Sequence, residues 1–571
     1  MFIDGLILAL IGFLGMSYIK GKDYISFALT ALFAFIGRGL GASFIHTKAG
    51  FFSLTITSAQ TWDTSTSLVS LSMSVLMINI GLWIYQTIRQ KGNHLLIATL
   101  PLSLLMFLLC LNVALFGDGT LGGPNQLALL LSAGLAALLA LKNGKTGQDL
   151  WKGVKRSVSD TLEALFILLL IGALAGTWML SGVVPAMIDY GLMIMSPAYF
   201  LFATCILCAL VSLASGSSWS TVATVGVALM SVGQALGFSP GLCAGAIISG
   251  AYFGDKLSPL SDTTNLAPAM AGGHLISHIR AMLWTTIPSF VGALIIFGIL
   301  GLGADQAVDA AKIENIHQGL RTHVWIHPIL FIVPLSVAIL IAKRVPTLAT
   351  LAFGALFGGI VAIFAQPAIV AELAGQGGFA GGFKAVMMAM SSKIELPASD
   401  PIVKDLLSAK GMEGMLGTIW LILCALSFGG VMETSGFLDT ISQVLLRKVN
   451  SDRSLVGATT ATSVFLNVTA SDQYLAIVVP GRMYRQTYEE RGLAPEALSR
   501  TLEDAGTVTS VLVPWNTCGA AQASVLGVAT MAYAPYCFFN ILSPLMTILF
   551  AFMGWKQPRL VPLEQESKVT V

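Results

Sequence analysis

The chain has 571 residues, of which 55% are hydrophobic and only 11% charged, with a formal net charge of +2. Soluble domains carry roughly 25% charged residues, so a water-soluble globule of this length is excluded and long apolar runs have to face lipid. No basic block interleaved with aromatics is present, so nothing suggests a nucleic-acid partner. The seven cysteines are odd in number and lie mostly in apolar runs; Cys205 and Cys208 form a CxxC with no second pair and no histidine nearby. They read as small apolar residues rather than as a metal or redox site, and no cofactor is implied.

A bilayer core takes about 20 apolar residues of helix. Runs of that kind occupy 3–19, 24–45, 66–88, 95–117, 124–142, 160–181, 281–302, 324–342, 346–366, 416–435 and 530–553, which makes about eleven regular spans. Residues 2–19 lack a basic n-region and are followed at once by another apolar run, so no cleavable signal peptide is evident. Two further apolar regions, 198–272 and 455–527, are dotted with Ser, Thr, Asp, Asn, Gly and Pro and read as broken helices rather than simple spans.

Lys and Arg mark cytoplasmic loops. They cluster at Lys20 and Lys22, Arg89 and Lys91, Lys142 to Arg156, Lys343 and Arg344, Arg447 to Arg453, Arg482 to Arg500, and Lys556 and Arg559. One consistent threading puts the N-terminus outside and the C-terminus inside. The segment 303–323, with Asp305, Asp309 and Glu314, then falls outside, as does 367–415. No soluble stretch is large enough to be an enzyme.

An internal repeat organises the chain. Gly176-Thr-Trp-Met-Leu-Ser-Gly182 matches Gly430-Val-Met-Glu-Thr-Ser-Gly436 at an offset of 254 (430 − 176), and Ser215-Gly-Ser-Ser-Trp219 faces Thr469-Ala-Ser-Asp-Gln473 at the same offset (469 − 215). Gly254-Asp255 then faces Glu503-Asp504, and each half closes on a polar run, Ser261-Asp-Thr-Thr-Asn265 and Trp515-Asn-Thr-Cys-Gly519. The basic-loop count makes 160–181 and 416–435 run in opposite directions. Inverted repeats with interrupted helices at the midplane belong to secondary transporters, and the interruptions mark the binding site. The fold expectation is therefore an all-α polytopic membrane protein of inverted-topology repeats with broken helices or re-entrant hairpins. Its divisions are 1–94 (an extra N-terminal membrane segment), 95–302 (first repeat), 303–323 (external loop), 324–553 (second repeat) and 554–571 (cytoplasmic tail).

Freed backbone is tolerated in a bilayer only where protein or a water-filled cavity covers it. Freed carbonyls, hydroxyls, amides and carboxylates also suit a hard cation. Intramembrane acids are costly and are functional candidates by default. The first break offers Asp255 and Asp262, with Ser261, Thr263, Thr264 and Asn265 as neutral oxygen donors or backbone supports. The second offers Asp472 and Asp504, with Asn516 and Thr517. Ser217, Ser218, Ser471 and Glu433 are further candidates; Glu433 stands where the repeat has Met179, so the fold does not require it. The sodium set read from the two breaks is Asp262, Asn265, Asp472 and Asn516. A carboxylate that holds sodium in one state and a proton in another couples the two fluxes. Gly216, Gly254 and Gly519 permit the backbone breaks. Glu163, after Asp160, reads as an interfacial residue, Arg38 as a packing residue, and His274 and His278 as cytoplasmic-loop residues beside Arg280 able to sense pH. Gly354 and Gly358 form a GxxxG for close helix packing.

The run from Gly250 to Ala269, the serine-rich stretch 212–225, the run from Ser471 to Met483, the run from Arg500 to Gly506 and Pro514-Trp-Asn-Thr-Cys-Gly519 resemble the NhaC family of sodium/proton antiporters. The resemblance spans about residues 95–553; the first 90 or so fall outside it. It implies an ion-transporter fold with re-entrant hairpins around a midplane site, and exchange of Na+ or Li+ for H+ in the inner membrane. Some members resemble malate/lactate exchangers instead, and a homodimer is expected by analogy. Asn516-Thr517 is similar to part of the Ser-Asn-Thr sodium motif of dicarboxylate carriers, with Trp515 in place of the serine. The rival reading is a sodium-driven organic-anion or drug carrier, which needs an anion-binding feature such as Lys256, Arg38 or a hairpin helix N-terminus. An intramembrane hydrolase on Ser217 or Ser218 lacks a nearby histidine base and the nucleophile elbow, and a channel fits inverted broken helices less well than alternating access does.

Overall fold

The computed structural model describes residues 94–116, 122–302, 310–343, 345–397, 404, 407–446 and 449–560. The three spans expected before residue 94, Arg38, Asp305, Asp309 and most of the C-terminal tail lie outside the described residues. The described residues are almost wholly helical, with one short antiparallel pair among them, β1 (Ile394–Glu395) and β2 (Ser408–Ala409). It divides into two compact units, residues 1–146 with 435–441 and residues 147–434 with 442–571. The first unit contains α1 (His94–Phe116) and α2 (Pro124–Lys142). They are tied by a hydrogen bond from Asn112 Nδ2 to Asn125 Oδ1 at 3.2 Å.

The second unit opens with α3 (Gly147–Leu180), α4 (Val183–Ile194) and α5 (Pro197–Ser215). After a break come α6 (Ser218–Thr221), a π-turn (Val222–Gly226) and α7 (Val227–Ala235). Next are α8 (Pro240–Leu257), a second break, α9 (Asp262–Ala271) and α10 (Leu275–Leu302). A connecting set follows: α11 (Ala310–His323), α12 (Ile332–Ala342), α13 (Thr347–Ala365), α14 (Pro367–Ala374) and α15 (Gly378–Ser391). The order then recurs. It runs α16 (Glu413–Thr434), α17 (Phe437–Leu446, whose first turns to Ile441 belong to the first unit), α18 (Asp452–Thr469), a break, α19 (Leu475–Glu490) and α20 (Pro495–Leu502). Helix α20 continues into a π-turn (Glu503–Thr507); a break follows, then α21 (Thr517–Leu526), α22 (Thr530–Tyr533) and α23 (Phe538–Met553).

Positions matched in the repeat share backbone geometry. Gly182 and Gly436, both closing a Ser-Gly, are left-handed at φ 81° and 77°. Gly216 at the first break has φ 70°, and Ser471 at the corresponding break has φ 61°, a conformation that costs a serine more than a glycine.

Among the described residues, seven helices are long and apolar enough to cross a membrane, or up to nine if each of two bent pairs is one span. Three differences from the sequence reading have physical causes. Region 198–272 begins with a long apolar helix, α5, whose few polar residues before the break are outnumbered by apolar ones. The 324–342 run forms a bent pair with the helix before it, 317–323 and 328–341 meeting at 88° across a break that ends in Pro328, and 530–553 is bent by 56° before Phe538. His278, expected in a loop, is fully buried inside α10, its Nδ1 2.8 Å from Ser499 Oγ. Part of the expected external loop, moreover, is the helix α11.

Small residues set the spacing of the core. A Cβ at Gly250 would sit 2.1 Å from the Cys205 carbonyl, and one at Gly254 2.2 Å from the Ala209 carbonyl, so α8 lies directly on α5. A Cβ at Gly354 would meet Val337 Cγ2 at 2.7 Å and one at Gly358 would meet Trp178 Cδ1 at 2.9 Å, which makes the GxxxG a packing motif. Trp178 Nε1 donates to the Gly354 carbonyl at 3.2 Å.

Gly254→Ala forces the α5 backbone aside and is expected to cost about 1–3 kcal/mol. Gly298→Ala, in α10 with nothing within 4 Å, is expected to gain about 0.5–1 kcal/mol. Thermal melting of the two detergent-purified variants checks this; equal melting temperatures would refute the close α5–α8 contact.

Candidate functional site

Each break leaves helix ends without their own hydrogen-bond partners, and the residues singled out from the sequence answer them. In the first half Gly216 ends α5, and Ser217 caps α6 by accepting from Ser220 N at 3.2 Å. The remaining positive end of α6 is met by Asp255, from the last turn of α8. Its Oδ2 accepts from Ser218 N at 3.1 Å and from Ser218 Oγ at 2.7 Å. A carboxylate at a helix N-terminus is a favourable placement. Thr264 Oγ1 donates to the Lys256 carbonyl at 3.0 Å, and Asn265 Nδ2 donates to the carbonyls of Pro259 at 2.9 Å and Ser261 at 2.8 Å. These two side chains therefore hold the hairpin's backbone. Ser261 Oγ and Thr263 Oγ1 are 3.2 Å apart. Asp262 begins α9 and is exposed, as is Asn265. Beside this break opens a cavity of ≈ 190 Å³ lined by Ser215, Ser220, Leu260, Thr347 and Thr350 among others.

In the second half Asp472 caps its own half-helix: Oδ1 accepts from Tyr474 N at 2.8 Å and from Leu475 N at 3.1 Å. Its Oδ2 and Ser471 Oγ are buried without a hydrogen-bond partner. The second break is stitched to the first. Thr517 N donates to the Ser471 carbonyl at 2.9 Å, and Asn516 Oδ1 accepts from Cys518 N at 3.0 Å. Asn516 Nδ2 donates to Asn467 Oδ1 at 3.2 Å, while Asn467 Nδ2 reaches the Gly506 carbonyl at 2.6 Å. Trp515, which departs from the serine of the dicarboxylate-carrier motif, donates from Nε1 to the Val468 carbonyl at 2.7 Å and so closes the end of α18. Tyr474 joins the halves: its backbone N–H serves Asp472, and its phenol faces Asp262.

The sodium set read from the sequence thus falls into a buried pair, Asp472 and Asn516, and an exposed pair, Asp262 and Asn265, with Tyr474 between them. Glu433 is half-buried on α16 and lies within electrostatic range of Asp472, as does Asp160. Asp504 is committed elsewhere. It pairs with Lys256 Nζ, accepts from Thr547 Oγ1, and accepts from Ser543 Oγ at 3.2 Å, all four side chains being buried. Lys256 also donates to Ser543 Oγ at 2.9 Å and stands 5.8 Å from the Phe539 ring centroid. Sequence reasoning missed two residues. Asn467 is the hub between the π-turn and Asn516, and Glu503 is fully buried on the π-turn with both carboxyl oxygens unpartnered. The available signal was the pair of adjacent acids in an apolar run, of which one lysine can neutralise only one.

Residues 250–555 match the model of the Na+/H+ antiporter family. The chain belongs to that family. It is 40% identical to the Na(+)/H(+) antiporter NhaC of Alkalihalophilus pseudofirmus, over 71% of this chain and 86% of that one. It is 35% identical to the malate-2H(+)/Na(+)-lactate antiporter of Bacillus subtilis, over 76% of this chain and 90% of that one. The Na(+)/H(+) antiporter NhaC of Bacillus subtilis is 33% identical, over 80% of this chain and 98% of that one.

Lys256→Met strands the buried Asp504 charge and is expected to cost about 3–5 kcal/mol. Lys256→Met with Asp504→Leu is expected to recover most of that loss. A double-mutant cycle on melting in detergent measures the coupling; additive losses would contradict the pairing.

Proposed function

We propose that this multi-pass membrane protein exchanges Na+ for H+ by alternating access. One observation carries the reading. At the breaks the buried acids Asp255, Asp472, Glu503 and Asp504 outnumber the buried Lys256, whose charge Asp504 already takes. Arg500, also buried, turns its guanidinium to the Lys556 carbonyl at 2.9 Å and to Gln557 Oε1 at 3.2 Å. Left ionised and alone, such carboxylates are costly. A small cation or a proton satisfies them, and competition between the two is exchange.

In this reading Asp472, Ser471, Asn516 and Thr517 hold sodium in the buried half of the site. Asp262, Asn265, Ser261 and Thr263 receive it at the exposed half, and Asp255, Ser217, Ser218 and Thr264 fix the hairpin. Glu433 lies on the approach to Asp472. The recurring helix order supports two repeats, 95–302 and 324–553, of opposite orientation, joined by 303–323. It leaves 1–94 as an additional membrane segment and 554–571 as a cytoplasmic tail. The same reading places the protein in the cytoplasmic membrane with the C-terminus inside, takes Li+ as a second substrate, and has the chain act as a transporter, not an enzyme, in a homodimer within the lipid bilayer.

An organic-anion cycle is the second reading, favoured by the likeness to the malate/lactate antiporter. The charges weigh against it. Lys256 is neutralised, and the half-helix N-termini that would hold a carried carboxylate are met by the chain's own Asp255, Asp472 and Asn516 or begin with Asp262.

In liposomes with a trapped pH dye and an imposed proton gradient, NaCl is expected to dissipate the gradient, KCl is not, and sodium malate should act no faster than NaCl. Asp472→Asn is expected to slow the sodium response by at least about 10–100-fold, the scale of losing even a supporting partner of a metal ligand. A response to malate that NaCl does not reproduce would hand the site to the anion.

A further inference from the structure

Glu503 has no part in the sodium set read from the two breaks, yet among the described residues its environment is unusual. Its side chain is fully buried, and neither carboxyl oxygen accepts a hydrogen bond. It opens a π-turn that ends at Thr507, four residues on, whose buried hydroxyl is also without a partner. π-turns recur at functional sites because the extra residue re-aims side chains. Across from it stands Thr263, at the start of α9, with the Thr263 hydroxyl 3.2 Å from Ser261 Oγ. Both threonine hydroxyls lie beside the carboxyl and within its electrostatic reach.

The charged groups around Glu503 are Asp255 and Lys256 on α8, with Arg500 and Asp504 flanking it on its own helix; His278 on α10 lies within range of Lys256. Lys256, the cation placed to neutralise Glu503, is bound to Asp504 instead. Asp255 spends Oδ2 on Ser218. Glu503 is therefore a dry carboxylate with two neutral hydroxyls beside it and no committed counter-charge. That donor set, one anionic and two neutral oxygens, suits a dehydrated monovalent cation, and its only other inexpensive state is protonated.

Resting on the exchange reading above, we propose that Glu503, with the hydroxyls of Thr263 and Thr507, is a site where one sodium ion and one proton exclude each other. When sodium arrives, the Glu503 O–H bond breaks and the proton leaves to water; when sodium leaves, a proton returns to the same oxygen. No net charge accumulates in the protein at either step.

The test uses the full-length chain. Sodium that binds the folded state raises its melting temperature, so melting in detergent is measured against NaCl and KCl at several pH values, alongside exchange in liposomes. The wild type is expected to gain stability with NaCl but not KCl, by less as the pH falls. Glu503→Gln is expected to keep the sodium-free melting temperature, to reduce the sodium-dependent rise to what the Asp472 set alone supplies, and to lose exchange. Thr507→Val is expected to raise the half-saturating sodium concentration about tenfold. An E503Q protein that keeps both the sodium-dependent rise and exchange overturns the inference alone. If E503Q does not fold, an unchanged half-saturation in T507V overturns it. A wild type that exchanges nothing and is unmoved by sodium overturns the exchange reading and this inference with it.

Discussion

Helices that stop inside the packed interior leave polar backbone ends that water cannot reach, and the rest of this structure is arranged around meeting that demand. Asp255 reaches from the end of α8 to the start of α6, Asp472 folds back on the start of α19, and Asn516 opens α21. Each of these contacts spends part of a polar side chain on structure and leaves part of it over. Asp472 Oδ2 is such a remainder, buried and unbonded. Close packing makes the arrangement possible: Gly250 and Gly254 let α8 lie on α5, and Gly216 brings its break against Leu260 in the other.

The charge arrangement follows from the same constraint. Lys256 and Asp504 form a buried pair cushioned by Ser543 and Thr547, an arrangement whose breaking is costly though its net contribution to stability is small. Its value here is selective. By occupying Lys256 it leaves Glu503 without a committed cation, and in the exchange proposed above a fixed cation there would compete with sodium. A transporter has to bind its ion without holding it permanently. An acid that alternates between proton and sodium achieves this while never staying charged and alone.

Much of this was legible in the sequence. The polar interruptions of apolar runs at 216–217, 258–261, 470–474 and 513–516 are where the helices stop, and the offset that pairs Gly182 with Gly436 pairs two left-handed glycines. The eight regular spans expected beyond residue 94 correspond to helices or bent helix pairs, because length and apolarity alone decide such runs. Less was legible at the site. Nothing in Glu503-Asp504 tells which acid Lys256 will take, since the choice depends on how α8 and α20 face each other across the core. Thr264 and Asn265 read as oxygen donors or as backbone supports; their Oγ1 and Nδ2 bond the free carbonyls of their own hairpin, a choice composition alone does not make. His278 sits so close to the start of α10 that its helical phase, and hence its burial beside Ser499, could not be read from the loop-like residues before it.

Proton release by the purified protein in weakly buffered detergent, on addition of sodium, tests the central claim most directly, since it reports binding without transport. The account predicts that NaCl releases protons, that KCl does not, and that the sodium concentration needed rises as the pH falls. Sodium binding that releases no proton and is indifferent to pH would contradict it.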